Sequence, residues 1–226
     1  MCGRFTLILS KDEIKDEFGT EDAPSLWEPS YNISPSQSLP IITNEQAAHW
    51  QIMKWGINRT FNNQHRFIIN IRKETLIEKN TFKTLIKNNR CIIPASGFFE
   101  WKKEGQQTKK SFPYYFEVSD GKSIAFAGLW DEGGVSNKKE FEFAIITCPA
   151  NPLVNQVHGR MPVMLDKQGQ ELWLSNLNMD EKLQLLQPFG ETKMTCIPVS
   201  QQVNNPSYNS KDCILPFLSG QQKFGF

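Results

Sequence analysis

Hydrophobic positions divide the chain into strand-like and helix-like segments. In "EFEFAIITC" apolar residues first alternate with charged ones and then run without a break, which predicts a strand that becomes buried. In "SKDEIKDEFG" the pattern is helical, with Ser10 followed by Glu13 and then a glycine stop at Gly19. This arrangement predicts a short helix that begins with a capping box.

Strands and helices occupy separate runs of the sequence. The predicted antiparallel meander comprises "CIIPASGFFEW", the charged turn "KKEGQQTKK", "PYYFEV", the turn "SDGK" and "SIAFAGLW", with "TCIPVS" as a late strand. The predicted helices are in "RKETLIEKNTFKTLIKNNR", "LDKQGQELWLSN" and "MDEKLQLLQPF", whereas "YNISPSQSLPIIT" reads as a polar loop that leads into a strand. Because these elements do not alternate regularly, the fold class is predicted to be α+β. We expect a mainly antiparallel β-sheet or open barrel core with flanking helices, in a single domain over residues 1–226.

Composition narrows the classes of protein without selecting a function. The 226 residues, 39% hydrophobic and 22% charged, are typical of a globular chain that buries its own core. The formal net charge is only +1, so any binding to nucleic acid must come from locally clustered arginines and lysines. No apolar run approaches the ~20 residues that span a bilayer, and no secretion signal opens the chain. A cytoplasmic protein without a membrane partner is expected.

The cysteines and histidines do not form a recognisable metal or disulfide pattern. The five cysteines are odd in number and include no C-x-x-C pair, which argues against a disulfide framework and a zinc site. Four of them are predicted to be core residues: Cys91, Cys148, Cys196 and Cys213. The three histidines are not at metal-ligand spacing either, so we expect neither a metal nor another cofactor.

The opening "MCGRF" places a cysteine directly after the initiator methionine. Removal of Met1 would leave Cys2 with an amine and a thiol on adjacent carbons. An α-amine has a pKa of about 7.7 to 8.0, so a fraction of it is unprotonated near neutral pH and can attack an aldehyde. The thiolate can then close onto the imine to give a five-membered thiazolidine. The alternative is that Cys2 is a small buried residue of an ordered N-terminus.

Four further polar residues could complete a site with Cys2. Arg4 could hold an anion beside the reacting centre, or be a solvated surface charge. Glu100 stands between aromatic residues in a predicted strand, where it either faces solvent or has a raised pKa suited to proton transfer. Asn70 alone suggests strand-end or turn chemistry, and His158 in its loop suggests a hydrogen-bonding surface group.

Taken together, these segments resemble the SRAP family, the SOS-response-associated peptidases that include abasic-site processing proteins. The resemblance is carried, in this order, by "MCGRF", "YNISPSQ", "MKWGIN", "INIRKET", "CIIPASGFFEWKK", "AFAGLWDE", "IITCPAN", "VHGRMPVML" and "IPVSQQVNN". Nine motifs in order over nearly the whole chain are far more specific than any one of them. Because the chain ends soon after the last motif, we expect it to resemble the bacterial members.

The resemblance implies a monomer that detects an abasic site in single-stranded DNA and cross-links itself to the sugar aldehyde through Cys2. Asn70 would then position the reacting amine or a sugar oxygen, and Glu100 would transfer protons during imine formation and ring closure. His158 would act on the sugar, in strand cleavage by β-elimination or in reversal of the cross-link. The same resemblance implies autoproteolytic removal of whatever precedes Cys2.

The resemblance also implies a set of DNA contacts. Arg4, Arg72 and Arg160 would hold phosphates, and Asn32, Pro35 and Trp55 would line the DNA path. Trp55 would offer a stacking face for a base, although it could equally be a core tryptophan.

Two segments depart from the family pattern. "RTFNNQHRFI" is short and polar where many relatives have a tryptophan-containing loop, which leaves the contacts on that side of the DNA open. The family's "HDRMP" reads "HGRMP" here. Because Gly159 replaces an acidic residue, the sequence does not identify a group that would orient His158.

Two other classes of protein share part of these features. N-terminal-nucleophile glutamine amidotransferases also begin Met-Cys-Gly, but their Arg-Gly-Pro-Asp and Asn-Gly-Glu-Ile segments are not found in the sequence. A non-covalent reader of modified single-stranded DNA would use only the arginines and aromatic residues. A glutaminase assay distinguishes the first class, and a comparison of intact with abasic DNA distinguishes the second.

Overall fold

In the described part of the chain, the fold comprises an eight-stranded β-sheet, a five-stranded β-sheet, a two-stranded hairpin of β5 and β6, and five short α-helices. The computed structural model describes residues 2–25, 27–61, 64–105, 111–133 and 140–217. The strands are β1 (Phe5–Leu7), β2 (Ser30–Ile33), β3 (Ser38–Thr43), β4 (Gln51–Trp55), β5 (Ile57–Phe61), β6 (Gln64–Ile68), β7 (Asn70–Arg72), β8 (Arg90–Ala95), β9 (Gly97–Lys103), β10 (Ser111–Val118), β11 (Ile124–Glu132), β12 (Phe141–Pro149), β13 (Arg160–Pro162), β14 (Met164–Leu165) and β15 (Met194–Pro198). The α-helices are α1 (Lys11–Phe18), α2 (Asn80–Asn88), α3 (Pro152–Asn155), α4 (Lys167–Leu174) and α5 (Met179–Leu185), and 3-10 helices lie at Lys73–Thr75, Glu191–Lys193, Gln201–Asn204 and Lys211–Ile214. None of the helices in the described ranges is long and apolar enough to cross a membrane.

The larger sheet closes into a five-stranded barrel. Its strands follow the order β4, β3, β8, β11 and β12, and β12 returns to pair with β4. Most pairings are antiparallel, but β12 runs parallel to both β4 and β7. The α+β class with a mainly antiparallel core is therefore confirmed, and the barrel is closed rather than open.

The five-stranded sheet, called the smaller sheet below, contains the N-terminal strand next to its edge. Its order is β15, β10, β9, β1 and β2, so β1 lies between β9 and β2. The chain crosses from the barrel to this sheet between the end of β8 and Gly97, where an added Cβ would collide with the Tyr115 hydroxyl and the Phe116 carbonyl. The predicted meander is therefore correct only for the hairpin of β9 and β10, because β11 pairs with β8 in the barrel rather than with β10.

The structure agrees better with the predicted helices and their ends than with the predicted pairing of strands. Helix α1 has the predicted capping box between Ser10 and Glu13, and it ends at Gly19 with a left-handed φ of 66°. The three predicted helical segments contain α2, α4 and α5. The segment from Tyr31 to Ile33, predicted as loop, is instead part of β2, because it pairs with β1 at the edge of the sheet. The first two residues of the predicted charged turn, residues 102–110, belong to β9, and its second half lies outside the described residues.

Phe5 links the smaller sheet to the barrel core. Its ring meets Trp55 edge to face at a centroid distance of 5.1 Å and Phe126 at 5.6 Å. Trp55 in turn stacks on Phe143 at 6.4 Å. Aromatic pairs of this kind bury large apolar areas in specific orientations, so they fix the start of the chain against the core. Of the four cysteines predicted to be core residues, Cys91, Cys148 and Cys213 are buried and Cys196 is half-buried.

Arg90 fastens two helices to the barrel. It is only 3% exposed, and its guanidinium donates to the carbonyls of Trp173 at 2.9 Å, Lys87 at 2.7 Å and Ser175 at 2.9 Å. These carbonyls lie at the C-terminal ends of α2 and α4, where helices leave main-chain acceptors without intrahelical partners. The buried Arg90 guanidinium therefore provides hydrogen-bond donors for main-chain carbonyls at the ends of both helices.

Replacing this cation should destabilise the fold strongly. We expect Arg90→Gln to lower the free energy of unfolding by about 3 kcal/mol, because an amide cannot reach all of these buried carbonyls. Urea unfolding measures this difference. Arg66→Gln, at an exposed arginine, is the matched control and should change stability by about 0.5 kcal/mol or less. Equal effects of the two substitutions would contradict the assignment.

Candidate active site

Cys2 lies three residues before the start of β1 and is fully buried. Its Sγ is 3.8 Å from the carbonyl oxygen of Arg4, which also accepts a hydrogen bond from the Phe99 main chain at 3.0 Å. Burial raises the pKa of the Cys2 thiol, and the negative charge of Glu100 raises it further. In the chain that begins with Met1, the thiol is therefore protonated and unreactive at neutral pH.

Asn70 forms a hydrogen bond with the main chain of Cys2. It is the first residue of β7, and its Nδ2 donates to the Cys2 carbonyl at 2.7 Å. Its Oδ1 is buried and has no hydrogen-bond partner among the described residues. A buried amide oxygen without a partner is costly, so this atom is a ready acceptor for an amine or hydroxyl brought into the site.

Glu100 is a buried carboxyl beside Cys2. It lies on β9 and is only 3% exposed, so the alternative of a solvent-facing strand residue is wrong. Burial raises its pKa, which the positive charges of the N-terminus and of His158 lower in part. A carboxyl with a raised pKa exchanges protons more readily near neutral pH than an exposed one.

His158 stands at the solvent side of Glu100. Its Nδ1 is 3.8 Å from a Glu100 carboxyl oxygen, and its side chain is 32% exposed. The main-chain N–H of Arg160 donates to the same Nδ1 at 3.1 Å. When Nδ1 accepts this bond, the neutral ring carries its proton on Nε2. The orienting contacts left open by Gly159 are thus provided by Arg160 and Glu100.

The fold therefore brings four residues from separate motifs to one place. Asn70 contacts Cys2, Glu100 acts electrostatically on Cys2, and Glu100 lies close to His158. The set combines a potential nucleophile, an amide that positions it, a buried proton carrier and a half-exposed imidazole. In the described part of the chain, no group of three or more His, Cys, Asp or Glu is arranged to hold a metal ion. The groups available for chemistry are those of nucleophilic and acid–base catalysis.

The buried carboxyl should make the site a source of instability. We expect Glu100→Gln to stabilise the protein at pH 7 by about 1 kcal/mol, because folding no longer desolvates a carboxylate. The pKa of Glu100 is raised in the folded state, so wild-type stability is complete below the ordinary carboxyl pKa of about 4.3 and falls as pH rises from there. Urea unfolding at pH 7 and pH 4 should show a difference that disappears at the lower pH. A variant less stable than wild type at pH 7 would contradict this account.

Trp55, predicted to line the DNA path, is a core residue. It is fully buried, and its Nε1 donates to the Ile69 carbonyl at 3.0 Å. The prediction that Trp55 stacks on a DNA base is wrong, because Trp55, at the end of β4, points its side chain into the closed barrel. The alternative of a core tryptophan is the correct one.

Asn32 and Arg4 are also buried, in contrast to their predicted places on the DNA path. Arg4 is 9% exposed and donates to Asn32 Oδ1 at 2.7 Å and to the Val203 carbonyl at 2.6 Å. Asn32 is 1% exposed and donates to the carbonyls of Asn205 at 3.0 Å and Tyr208 at 2.7 Å. These two side chains fasten the C-terminal segment to the smaller sheet, so the structure contradicts a DNA-lining position for them.

The other predicted DNA contacts differ in how accessible they are. Pro35 is half-buried in the turn between β2 and β3, and Arg72 is exposed at the end of β7. The Arg160 side chain is 17% exposed and forms two hydrogen bonds with the Glu74 carboxylate, at 2.7 and 3.0 Å. Arg72 therefore presents an accessible cation two residues from Asn70, whereas Arg160 is already paired.

Comparison with known proteins gives consistent matches along the chain. Residues 1–206 match the sequence family described as SOS response associated peptidase (SRAP). The chain is 35% identical over 223 residues to abasic site processing protein YoqW of Bacillus subtilis, which covers 95% of this chain and 99% of that protein. It is 26% identical over 273 residues to abasic site processing protein HMCES of Xenopus tropicalis. That match covers 99% of this chain and 80% of the Xenopus protein. A crystal structure of a protein from Bacteroides thetaiotaomicron has the same fold, with a TM-score of 0.82 at 24% identity over 96% of this chain and all of that one.

Proposed function

This chain belongs to the SOS response associated peptidase (SRAP) family, and from that membership we propose that it processes abasic sites in DNA. We propose further that Cys2 forms the covalent bond to the lesion. The observation that carries this proposal is the cluster around Cys2, in which Asn70 binds its carbonyl and the Glu100–His158 pair lies alongside. The names of the curated relatives support the substrate class.

The chemistry follows from the two reactive groups of a processed Cys2. A ring-opened abasic sugar exposes an aldehyde, and the Cys2 amine adds to its carbon to give a carbinolamine. Loss of water, with a proton supplied to the departing oxygen, gives an imine. The Cys2 thiol then gives up its proton as its sulfur adds to the imine carbon, the imine nitrogen takes up a proton with the electron pair of the C=N bond, and a five-membered thiazolidine closes. The second step is intramolecular and is accelerated by proximity.

The neighbouring residues have distinct tasks in this sequence. Asn70 fixes the Cys2 carbonyl, and its unpartnered Oδ1 accepts a hydrogen bond from the amine or from a sugar hydroxyl. Glu100 gives a proton to the departing water and takes it back during ring closure. His158, at the half-exposed side of the pair, removes the proton next to the imine carbon in β-elimination or acts in reversal of the cross-link.

Removal of Met1 prepares both reactive groups. It converts the Cys2 amide nitrogen into an amine, and it places a positive charge next to the thiol. That charge lowers the pKa of the thiol relative to the unprocessed chain, where burial and Glu100 raise it. We propose autoproteolytic removal of Met1 as a secondary activity, which would account for the peptidase in the family name.

We propose single-stranded DNA as the partner. Because Cys2 is buried, the lesion sugar must leave the stacked strand to reach it, and a single strand allows this at low cost. Arg72 and Pro35 remain as candidate contacts along the DNA path. We take the acting unit to be a cytoplasmic monomer, since all four residues of the site come from one chain.

The direct test is cross-linking to an oligonucleotide. Protein whose N-terminus is shown by mass spectrometry to begin at Cys2 is incubated with a single strand that carries one abasic site, and the products are separated on a denaturing gel without reductant. We expect a retarded band that is absent with Cys2→Ala or with intact DNA. Equal non-covalent binding of both strands without a band would favour a reader of modified DNA. Glutamine hydrolysis would favour an amidotransferase.

A further inference from the structure

Arg160 is held by a carboxylate in the geometry that a phosphate would use. Its Nη1 donates to one Glu74 oxygen at 2.7 Å and its Nη2 to the other at 3.0 Å. Its Nη2 also donates to the Thr147 carbonyl at 2.6 Å. Two parallel N–H bonds from a guanidinium suit carboxylates and phosphates equally well. The side of Arg160 that could bind an anion is therefore occupied from within the chain.

Glu74 reaches Arg160 from the segment that directly follows the strand of Asn70. It lies in the 3-10 helix Lys73–Thr75, immediately after β7, whereas Arg160 begins β13. Both strands pair with β12, in which Thr147 is in register with Arg72. The Glu74 side chain is 43% exposed and that of Arg160 only 17%. The carboxylate thus lies on the solvent side of the guanidinium, two residues along the chain from the exposed Arg72.

We propose that Glu74 is a selectivity residue that keeps reversible binding of undamaged single-stranded DNA weak. The inference rests on the proposed function, because it takes DNA to be the partner. The Glu74–Arg160 pair has no net charge, so a DNA phosphate gains little from approaching it unless it displaces the carboxylate. At an abasic site the covalent bond retains the DNA once it forms, so weak reversible binding costs little there. On intact DNA no such bond forms, and the protein dissociates.

Two other roles for Glu74 give different results. If Glu74 positioned Arg160 to receive a phosphate, its removal would weaken DNA binding. If the pair only stabilised the fold, its removal would leave DNA affinity unchanged. The Arg160 side chain lowers the pKa of Glu74, so the carboxylate is ionised at neutral pH and competes as an anion. The direction of the change in affinity therefore distinguishes the three roles.

The test measures affinity for an undamaged single strand of about 15 nucleotides by fluorescence anisotropy at several salt concentrations. We expect Glu74→Gln to tighten binding about three- to tenfold and to steepen the logarithmic salt dependence by about 0.7, the value for one additional phosphate contact. Glu140→Gln is the matched control, because Glu140 is also a half-exposed partner of a basic residue, 3.9 Å from Lys54. It makes the same change in net charge and should alter affinity by about twofold or less.

Two further variants show whether Glu74 acts through Arg160. In an Arg160→Gln background, Glu74→Gln should no longer tighten binding. Glu74→Asp keeps the carboxylate and should bind undamaged DNA within about twofold of wild type. The proposal is overturned if Glu74→Gln weakens or does not change binding, if Glu140→Gln tightens it equally, or if the gain persists without Arg160. Because the assay forms no adduct, its result is independent of the gel assay that tests cross-linking.

Discussion

A chain that retains any residue ahead of Cys2 is expected to form no cross-link with abasic DNA. The retained peptide bond makes the Cys2 nitrogen an amide, whose lone pair is delocalised and does not add to an aldehyde. It also moves the N-terminal positive charge away from a thiol whose pKa is already raised by burial. Both steps of thiazolidine formation are lost together, so the effect should be complete rather than partial. Denaturing gels with an abasic oligonucleotide measure it.

The control for this prediction uses one preparation in two states. A chain with a protease-cleavable extension is tested before and after cleavage that exposes Cys2, with both N-termini confirmed by mass spectrometry. Cross-linking should appear only after cleavage. An adduct formed at the wild-type rate by the uncleaved chain would show that the amine does not take part.

The second large effect is expected at Glu100. Glu100→Gln cannot carry a proton to the departing water or back from the sulfur, so cross-link formation should slow by about 10²- to 10⁴-fold. His158→Ala should leave the rate of formation largely intact and impair strand cleavage or reversal, because His158 lies at the outer, half-exposed end of the pair. Single-turnover rates of adduct formation and of strand cleavage measure the two steps separately.

A glutamate outside the site provides the matched control for Glu100. Glu117 lies on the neighbouring strand β10, and burial raises its pKa as well, although it is only half-buried. Glu117→Gln should leave the rate of cross-linking unchanged. If Glu100→Gln and His158→Ala had the same kinetic profile, the proposed division between them would be wrong.

Local patterns in the sequence predicted elements better than their pairing. The capping box of Ser10 and the glycine at position 19 act within one helix, so they could be read directly. The switch of the chain from barrel to smaller sheet at Gly97 could not, because its cause is the close approach of Tyr115, which is distant in sequence. The largely apolar segment "CIIPASGFFEW" does not show which part of it joins which sheet.

In the candidate active site, too, long-range contacts could not be read from the sequence. The resemblance to the family singled out Cys2, Asn70, Glu100 and His158, and the structure brings them together. The burial of Asn32 was missed because its partners are main-chain carbonyls more than 170 residues away, which have no sequence signature.

Glu74 and Arg90 were also missed by sequence reasoning. Each stands as one charged residue among several in its segment, and only the folded chain shows what it contacts. For Arg90, its position at the start of an apolar strand was the one available signal.

The contact between Arg4 and the Val203 carbonyl sets an order of events during protein synthesis. The N-terminal segment cannot be locked into place until Val203 has been made, about 10 to 40 seconds after Cys2 at synthesis rates of roughly 5–20 residues per second. During that interval a cellular aminopeptidase can reach the first peptide bond. Once the chain has folded, Cys2 is buried and less accessible to the aminopeptidase. A molecule that folds before processing would then depend on the proposed autoproteolysis, so rapid overproduction should yield a larger unprocessed fraction.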